Sequence, residues 1–452
     1  MSDPIDSFRS EGDLNVSPRR AAWVSAHIDA TTQEILDDDA RYFLHQSLST
    51  PCLNAVVACE GIYLIDAQGR RIMDFHGNNV HQVGYRNPRV IRAVREQLET
   101  LPFCPRRYTN APAIALARRL AELAPGDLDK VLFAPGGTSA IGIALKLARA
   151  ATGRFKTISM WDSFHGASLD AISIGGEAIF RRGAGPLLPG TEHVPPPDPA
   201  QCPWGCGETC SLKCADYIEY VLEKEGDVAA VIAETVRATP FIPPIEYWRR
   251  VRAACDRHGA LLVLDEIPTC LGRTGTMFAC EPYGVVPDIL VIGKGLGGGV
   301  MPLAAVIARG GLDIAKDRAL GHYTHEKSPC ACVAGLATLE FIEEERLLER
   351  VRELGAHAMN RMRAIKDRHA IVADVRGVGL LLGIELARDG NPKARAADVA
   401  DDVMYRALER GLSFKVTLGN VLTLTPPLTI AREELDRAFD VLDECIGGAA
   451  AS

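Results

Sequence analysis

Two apolar runs of this chain end abruptly in charge. Residues 261–264 stop at Asp265, and residues 289–292 stop just short of Lys294. The lysine lies among glycines, Gly293, Gly295 and the run 297–299, which let backbone approach a ligand closely. A carboxylate and an amine at the ends of two buried runs can share one crevice. The plain alternative is a structural ion pair in an α/β core. The chemical alternative is more specific: an amine that forms a Schiff base, beside a carboxylate that keeps a pyridine nitrogen protonated. Those two groups are the minimal equipment of pyridoxal phosphate catalysis.

Two further stretches suit the same cofactor. Residues 131–151 read strand, glycine turn, helix, so Gly136, Gly137 and Thr138 would offer free amide N–H groups and a hydroxyl at a helix N-terminus. That is an anion site fit for a phosphate, although such a turn alone can be only a tight connection. Phe164, in the turn Phe164-His165-Gly166, supplies a ring able to lie flat on a pyridine, where an isolated aromatic would more often be core.

These residues need a scaffold, and the pattern supplies one. From about residue 76 to 330, short β-rich runs (130–134, 155–160, 229–233, 260–264, 288–292 and 303–308) alternate with amphipathic segments. Continuous apolar runs separated by helices predict a mostly parallel, doubly wound α/β sheet buried on both faces. Ligands of such sheets bind beyond the carboxyl ends of the strands, where Asp265 and Lys294 lie. Residues 1–75 read as an N-terminal arm and part of a smaller domain, with strands either side of a turn at 66–69. Residues 331–452 read as the rest of that small α+β domain, opening on one long helix (332–369) and closing on a helix from Arg432.

A chain of 452 residues with 47 % hydrophobic and 24 % charged residues is an ordinary soluble composition. A net charge of −8 without a basic stretch argues against a nucleic-acid partner. No apolar run has the length of a membrane span, and the first twenty residues lack a signal-peptide pattern. Cytoplasm is the expected location. Most of the thirteen cysteines are scattered, but Cys202, Cys206, Cys210 and Cys214 follow one another at four-residue steps. They could hold zinc or an iron–sulfur cluster, Cys210 and Cys214 sharing a helix face if both lie in the following helix. The spacing is not the usual paired one, and a thiol-lined loop without metal is the preferred reading.

Over nearly the whole chain from about residue 50, the sequence resembles the class III (ω-type) aminotransferases of fold type I. The stretches that carry the resemblance are ALKLARAATGR, the DSFHG turn, LLVLDEI followed by GRTG, PDILVIGKGLGGG and VRGVGLLLGIEL. It implies pyridoxal 5'-phosphate bound through Lys294, Asp265 on the pyridine nitrogen, and Phe164 and Ile267 on opposite ring faces. Gly136, Gly137 and Thr138 would hold the phosphate. Thr324 aligns with a threonine that such enzymes contribute from the partner subunit, which implies a homodimer with shared sites.

The departures from that pattern bear on substrate. Ser139, Pro268 and the Glu234–Ala238 segment differ from the usual SGSEA, DEVQ and EPVQG. More consequentially, the two arginines that commonly clamp a substrate carboxylate are Thr423 and Ala167. A buried carboxylate without a cation costs several kcal/mol, so a common amino-acid donor would bind poorly. Arg106, Arg107, Arg237 and Lys415 are candidates for a different anion, each also readable as a structural or solvated charge. Several donors suit a phosphonate. The stretches FHGNNVHQVGY, KVLFAPGGTSAIG and SMWDSFHGASLDAISIGGE look most like ammonia-lyases acting on 1-hydroxy-2-aminoethylphosphonate, with Tyr108 a candidate acid for the departing hydroxyl. A class III ω-aminotransferase taking a non-α amine is the alternative, and a catalytically silent scaffold a third reading.

Overall fold

The computed structural model describes residues 16–47, 49–198, 202–206, 210–391 and 393–450. The chain divides into two units, one of Met1–Arg86 with Arg352–Ser452 and the other of Asn87–Val351. This contact-based division falls after residues 86 and 351, whereas the sequence pattern changes after about 75 and 330. The helix Pro329–Glu344 packs on the helices Pro88–Thr100 and Ala111–Leu123, so contacts, rather than the change of pattern, carry it into the second unit.

The Asn87–Val351 unit is built on seven strands: β1 (Leu128–Ala134), β2 (Lys156–Met160), β3 (Thr191–Val194), β4 (Val228–Glu234), β5 (Leu261–Asp265), β6 (Ile289–Ile292) and β7 (Ala304–Arg309). Their order is β1-β7-β6-β5-β4-β2-β3. Strand β7 runs antiparallel to both neighbours, while β6, β5, β4, β2 and β3 pair in parallel. The sheet is therefore mostly parallel, as the unbroken apolar runs require: every residue of β6 is buried, and all but Leu261 of β5. Each Val, Leu or Ile so enclosed contributes roughly 1.5–3 kcal/mol of transfer free energy. The helix Gly137–Thr152 lies across this sheet, burying Ile141, Ala144, Leu145 and Ala148.

Two local expectations are corrected. The long helix after 331 is two helices, Pro329–Glu344 and Leu347–Arg368. Arg346 between them takes a left-handed φ of 50°, incompatible with a continuous helix. Cys210 also lies outside the helix Lys213–Glu225, which starts after Leu212 at φ 58°. It therefore cannot share a helix face with Cys214.

The Met1–Arg86 and Arg352–Ser452 unit holds two small sheets. One pairs Val56–Glu60, Tyr63–Asp66, Arg71–Asp74 and Leu412–Ser413; the other pairs Val372–Val378, Leu381–Leu386, Val421–Leu424 and Lys415–Thr417. The N-terminal helices Pro18–His27 and Ala30–Tyr42 begin at Ser17 and Asp29, whose side chains accept from first-turn amides. The helix Arg432–Ala450 closes the chain as expected. Among the described residues no helix is long and apolar enough to cross a membrane.

Candidate active site

Parallel register sets the carboxylates side by side. Glu234 pairs with Asp265 and Asp265 with Val291, three residues before Lys294. All three positions lie at the carboxyl ends of their strands. Lys294 follows Gly293 and opens a short 3-10 turn, Lys294–Gly297, with its own φ at 47°. A non-glycine residue held there stores of order 1–3 kcal/mol of backbone strain, which the surrounding structure must sustain.

Asp265 is 1 % exposed and both its oxygens are engaged. Oδ1 accepts from the Ile267 N–H at 3.0 Å, and Oδ2 accepts from His165 Nδ1–H at 2.7 Å. The neighbouring carboxylate fixes the proton on Nδ1. The other ring nitrogen, Nε2, is buried without a hydrogen-bond partner. This contact spans a hundred residues of sequence, so nothing in the local pattern marked His165 beyond its place in the aromatic turn.

That turn docks onto the glycine turn. Thr138 Oγ1 accepts from the Ser168 N–H at 3.2 Å and lies 2.6 Å from Ser168 Oγ. Gly166 sits at φ +129°, and a Cβ there would stand 2.5 Å from Thr138 Oγ1. Gly166→Ala should therefore displace Thr138 and weaken retention of a phosphate-bearing ligand, measured as faster cofactor loss on dialysis. Unchanged retention would contradict the docking. A Cβ on Gly137 would fall 2.9 Å from Ile267, and one on Gly293 3.4 Å from the same side chain. Ile267 is thus packed between the glycine turn and the residue preceding Lys294.

Glu234 and Phe164 are tied as well. Phe164 N–H donates to Glu234 Oε1 at 3.2 Å, and Ala238 N–H to Oε2 at 3.2 Å. Burial pushes the Glu234 carboxyl up, against the pull of Arg237 and His165. Arg237 is itself buried and donates to Glu177 at 2.6 Å, with Glu234 3.9 Å from its Nε. One guanidinium thus stands between two carboxylates, neither of which the sequence pattern singled out as its partner.

Glu266 is completely enclosed and accepts from the Thr235 hydroxyl at 2.8 Å and from the Ala279 and Cys280 N–H groups at 2.6 and 2.8 Å. It joins the end of β4 to the loop after β5. Burial raises its carboxyl from an ordinary 4.5 to about 7. The folded state holds this proton more tightly than the unfolded chain does. Its contribution to stability is therefore full below the unfolded value and declines as pH climbs through the window up to about 7. Glu266→Gln removes that slope and turns an NH2 against an N–H donor. It should lower stability in acid by about 1–3 kcal/mol, with a flatter pH profile of the urea midpoint. An unchanged slope would show the carboxyl is not the source.

A sequence profile of the class III aminotransferases (Aminotransferase class-III) matches residues 45–446. The chain belongs to this family. Pyridoxal phosphate is the cofactor, and the residues present fit it. The N-terminus of the sixteen-residue helix Gly137–Thr152 offers amides no side chain caps, with open space at Gly136. Beyond it lie a buried carboxylate oriented by an imidazole, and a lysine at the mouth of the same strands. An ammonia-lyase of Vibrio splendidus acting on (R)-1-hydroxy-2-aminoethylphosphonate is 50 % identical, over 97 % of this chain and 95 % of its own. A leucine/methionine racemase of Thermococcus litoralis is 38 % identical over 92 % of this chain and 95 % of its own. Among solved structures, a Bacillus anthracis aminotransferase superposes with a TM-score of 0.86 at 30 % identity, covering 93 % of this chain and all of that one. The chain is an enzyme of this kind, with the fold type I architecture of its relatives.

The remaining candidate residues lie elsewhere in the same unit or outside it. Arg106, Arg107 and Tyr108 are exposed. Arg106 donates to His322 Nε2 at 2.7 Å, and Phe103 meets the His325 ring edge-on at 5.2 Å. Those contacts bring the 103–108 segment beside the exposed turn that carries Thr324. Ala167 is exposed, and Thr423, in the other unit, is buried with its hydroxyl 2.7 Å from that of Thr417. The four cysteines are free thiols, and among the described residues no group of three or more His, Cys, Asp or Glu is arranged to hold a metal.

Proposed function

We propose that the chain is a pyridoxal phosphate-dependent ammonia-lyase that converts 1-hydroxy-2-aminoethylphosphonate, as its (R) form, to phosphonoacetaldehyde and ammonia. The observation that carries this is the 50 % identity to such an ammonia-lyase over 97 % of the chain. The absence of arginine at Thr423 and Ala167 agrees with it. An ordinary transaminase needs an amino-acid co-substrate to restore its cofactor, and a lyase does not.

In this reading Lys294 and Asp265 are the catalytic pair. Gly136, Gly137 and Thr138 cradle the phosphate, and Phe164 and Ile267 enclose the ring. When bound, the cofactor supplies an electron sink for the carbon bearing the amine. Lys294 takes the proton from that carbon, and the hydroxyl on the next carbon leaves with a proton from Lys294 or Tyr108. The enamine released takes up the equivalent of the water lost, so the net products are aldehyde and ammonia. Asp265 holds the ring nitrogen's proton, with His165 orienting the carboxylate.

The phosphonate is assigned to Arg237, Arg106 and Arg107. Arg237 would share its donors between Glu177 and the incoming anion, while Arg106 and Arg107 would act from the edge that carries Thr324. That edge, exposing Phe103 and Tyr108, would meet a second copy, Thr324 reaching the phosphate of the partner's site in a cytoplasmic homodimer.

Incubation of the holoenzyme with the aminophosphonate, with and without 2-oxoglutarate or pyruvate, tests the proposal. Ammonia and aldehyde formed equally without an acceptor support the lyase. Strict dependence on a keto acid would instead identify an ω-aminotransferase.

A further inference from the structure

The cysteine-rich loop takes no part in the chemistry above, and its thiols are not scattered. Gly205, at φ +68°, donates its N–H to the Cys202 carbonyl at 3.1 Å. The turn so closed brings the chain back towards Cys202, and Cys206, the next residue, comes within its influence. Cys206 Sγ lies 3.3 Å from Ser211 Oγ. Ser211, Cys202 and Cys210 all lie near enough to the same sulfur to favour its thiolate. The loop is anchored from its other side, where Trp204 packs on Tyr217 of the helix Lys213–Glu225 at 5.8 Å between ring centroids. Cys214, by contrast, is buried within that helix, and burial holds its thiol up at about 12.

We propose that Cys202 and Cys206 form a peroxide-sensitive pair that closes to a disulfide, making this loop a site of reversible oxidation. The convergent donors favour the thiolate of Cys206, lowering it from 9.0 to about 7, with the Ser211 hydroxyl the largest influence. Hydrogen peroxide is the oxidant. The Cys206 thiolate attacks its terminal oxygen and the O–O bond breaks, giving Cys206 sulfenic acid and, after proton uptake, water. Cys202 sulfur then attacks the Cys206 sulfur, hydroxide leaves with the Cys202 proton as a second water, and the S–S bond forms. Two thiols lose two electrons and the peroxide gains them. Two sulfurs suffice for this chemistry, whereas a metal needs a ligand set that the described residues do not assemble.

The gain in rate is bounded. At neutral pH the lower value raises the thiolate fraction roughly fiftyfold, and reduced nucleophilicity returns about an eightfold factor, leaving Cys206 about sixfold faster than an unperturbed thiol. The test uses full-length holoenzyme, limiting hydrogen peroxide, alkylation of remaining thiols, and mapping of peptides without reduction. The expected product is a Cys202–Cys206 link, reversed by dithiothreitol, while the exposed Cys52 stays alkylatable. Cys202→Ser should instead leave a sulfenic acid on Cys206 that dimedone captures. The proposal is overturned if Cys52 oxidises as fast as Cys206, if the link formed is to Cys210, or if neither a link nor a captured sulfenic acid appears.

Discussion

Lys294→Ala should lower turnover by about 10³-fold or more, with the fold retained. The lysine is asked for two services, the covalent attachment of the cofactor and the movement of the substrate proton. No second amine follows β5 or β6 to share them. Alanine at φ 47° bears the same backbone strain as lysine, so the 3-10 turn and the glycines around it should persist. The variant is therefore expected to unfold at a similar temperature and to lose the absorbance of covalently attached cofactor. Activity within tenfold of the parent would remove Lys294 from the centre of the mechanism.

Asp265→Asn should cost at least about 10²-fold in kcat, with a smaller change in cofactor affinity. An amide has one acceptor oxygen for the two donors that now converge, Ile267 N–H and His165 Nδ1–H. Its NH2 must oppose one of them, an arrangement that costs about 1–3 kcal/mol. A neutral side chain also gives up the charge that keeps a pyridine nitrogen protonated, and with it the electron-withdrawing power of the ring. His165→Asn separates the two contributions, since it leaves the carboxylate and removes only its orienting partner. Its loss should be nearer tenfold, the value of one hydrogen bond. Equal losses in both variants would mean that orientation, and not charge, is what Asp265 provides.

Much of this centre was legible in the sequence because its elements announce themselves locally. Strands β5 and β6 are short apolar runs cut off by Asp265 and by Gly293-Lys294, and the sheet register places those ends together. The glycine turn before the helix Gly137–Thr152 was equally plain, since two glycines and a hydroxyl precede a long apolar face. Long-range partners were not legible. Arg237 stood out as an arginine at an unusual place, but Glu177 lies sixty residues earlier, and only the fold sets them 2.6 Å apart. His165 sat in a quoted motif, yet its bond to Asp265 depends on β2 and β5 lying on either side of β4 in the sheet. The helix break at Arg346 escaped because helical periodicity continues on both sides, and a single left-handed residue leaves no pattern. The condition that Cys210 lie in the helix with Cys214 also fails, because Leu212 at φ 58° delays the helix start to Lys213.

The most direct measurement is the yield of ammonia per Lys294 site from (R)-1-hydroxy-2-aminoethylphosphonate in the complete absence of a keto acid. The account predicts many equivalents at a steady rate, with an equal amount of phosphonoacetaldehyde, because the lysine and its cofactor are restored at each turnover. A reaction that stops at one amino group transferred per site, and resumes only when a keto acid is added, would contradict it.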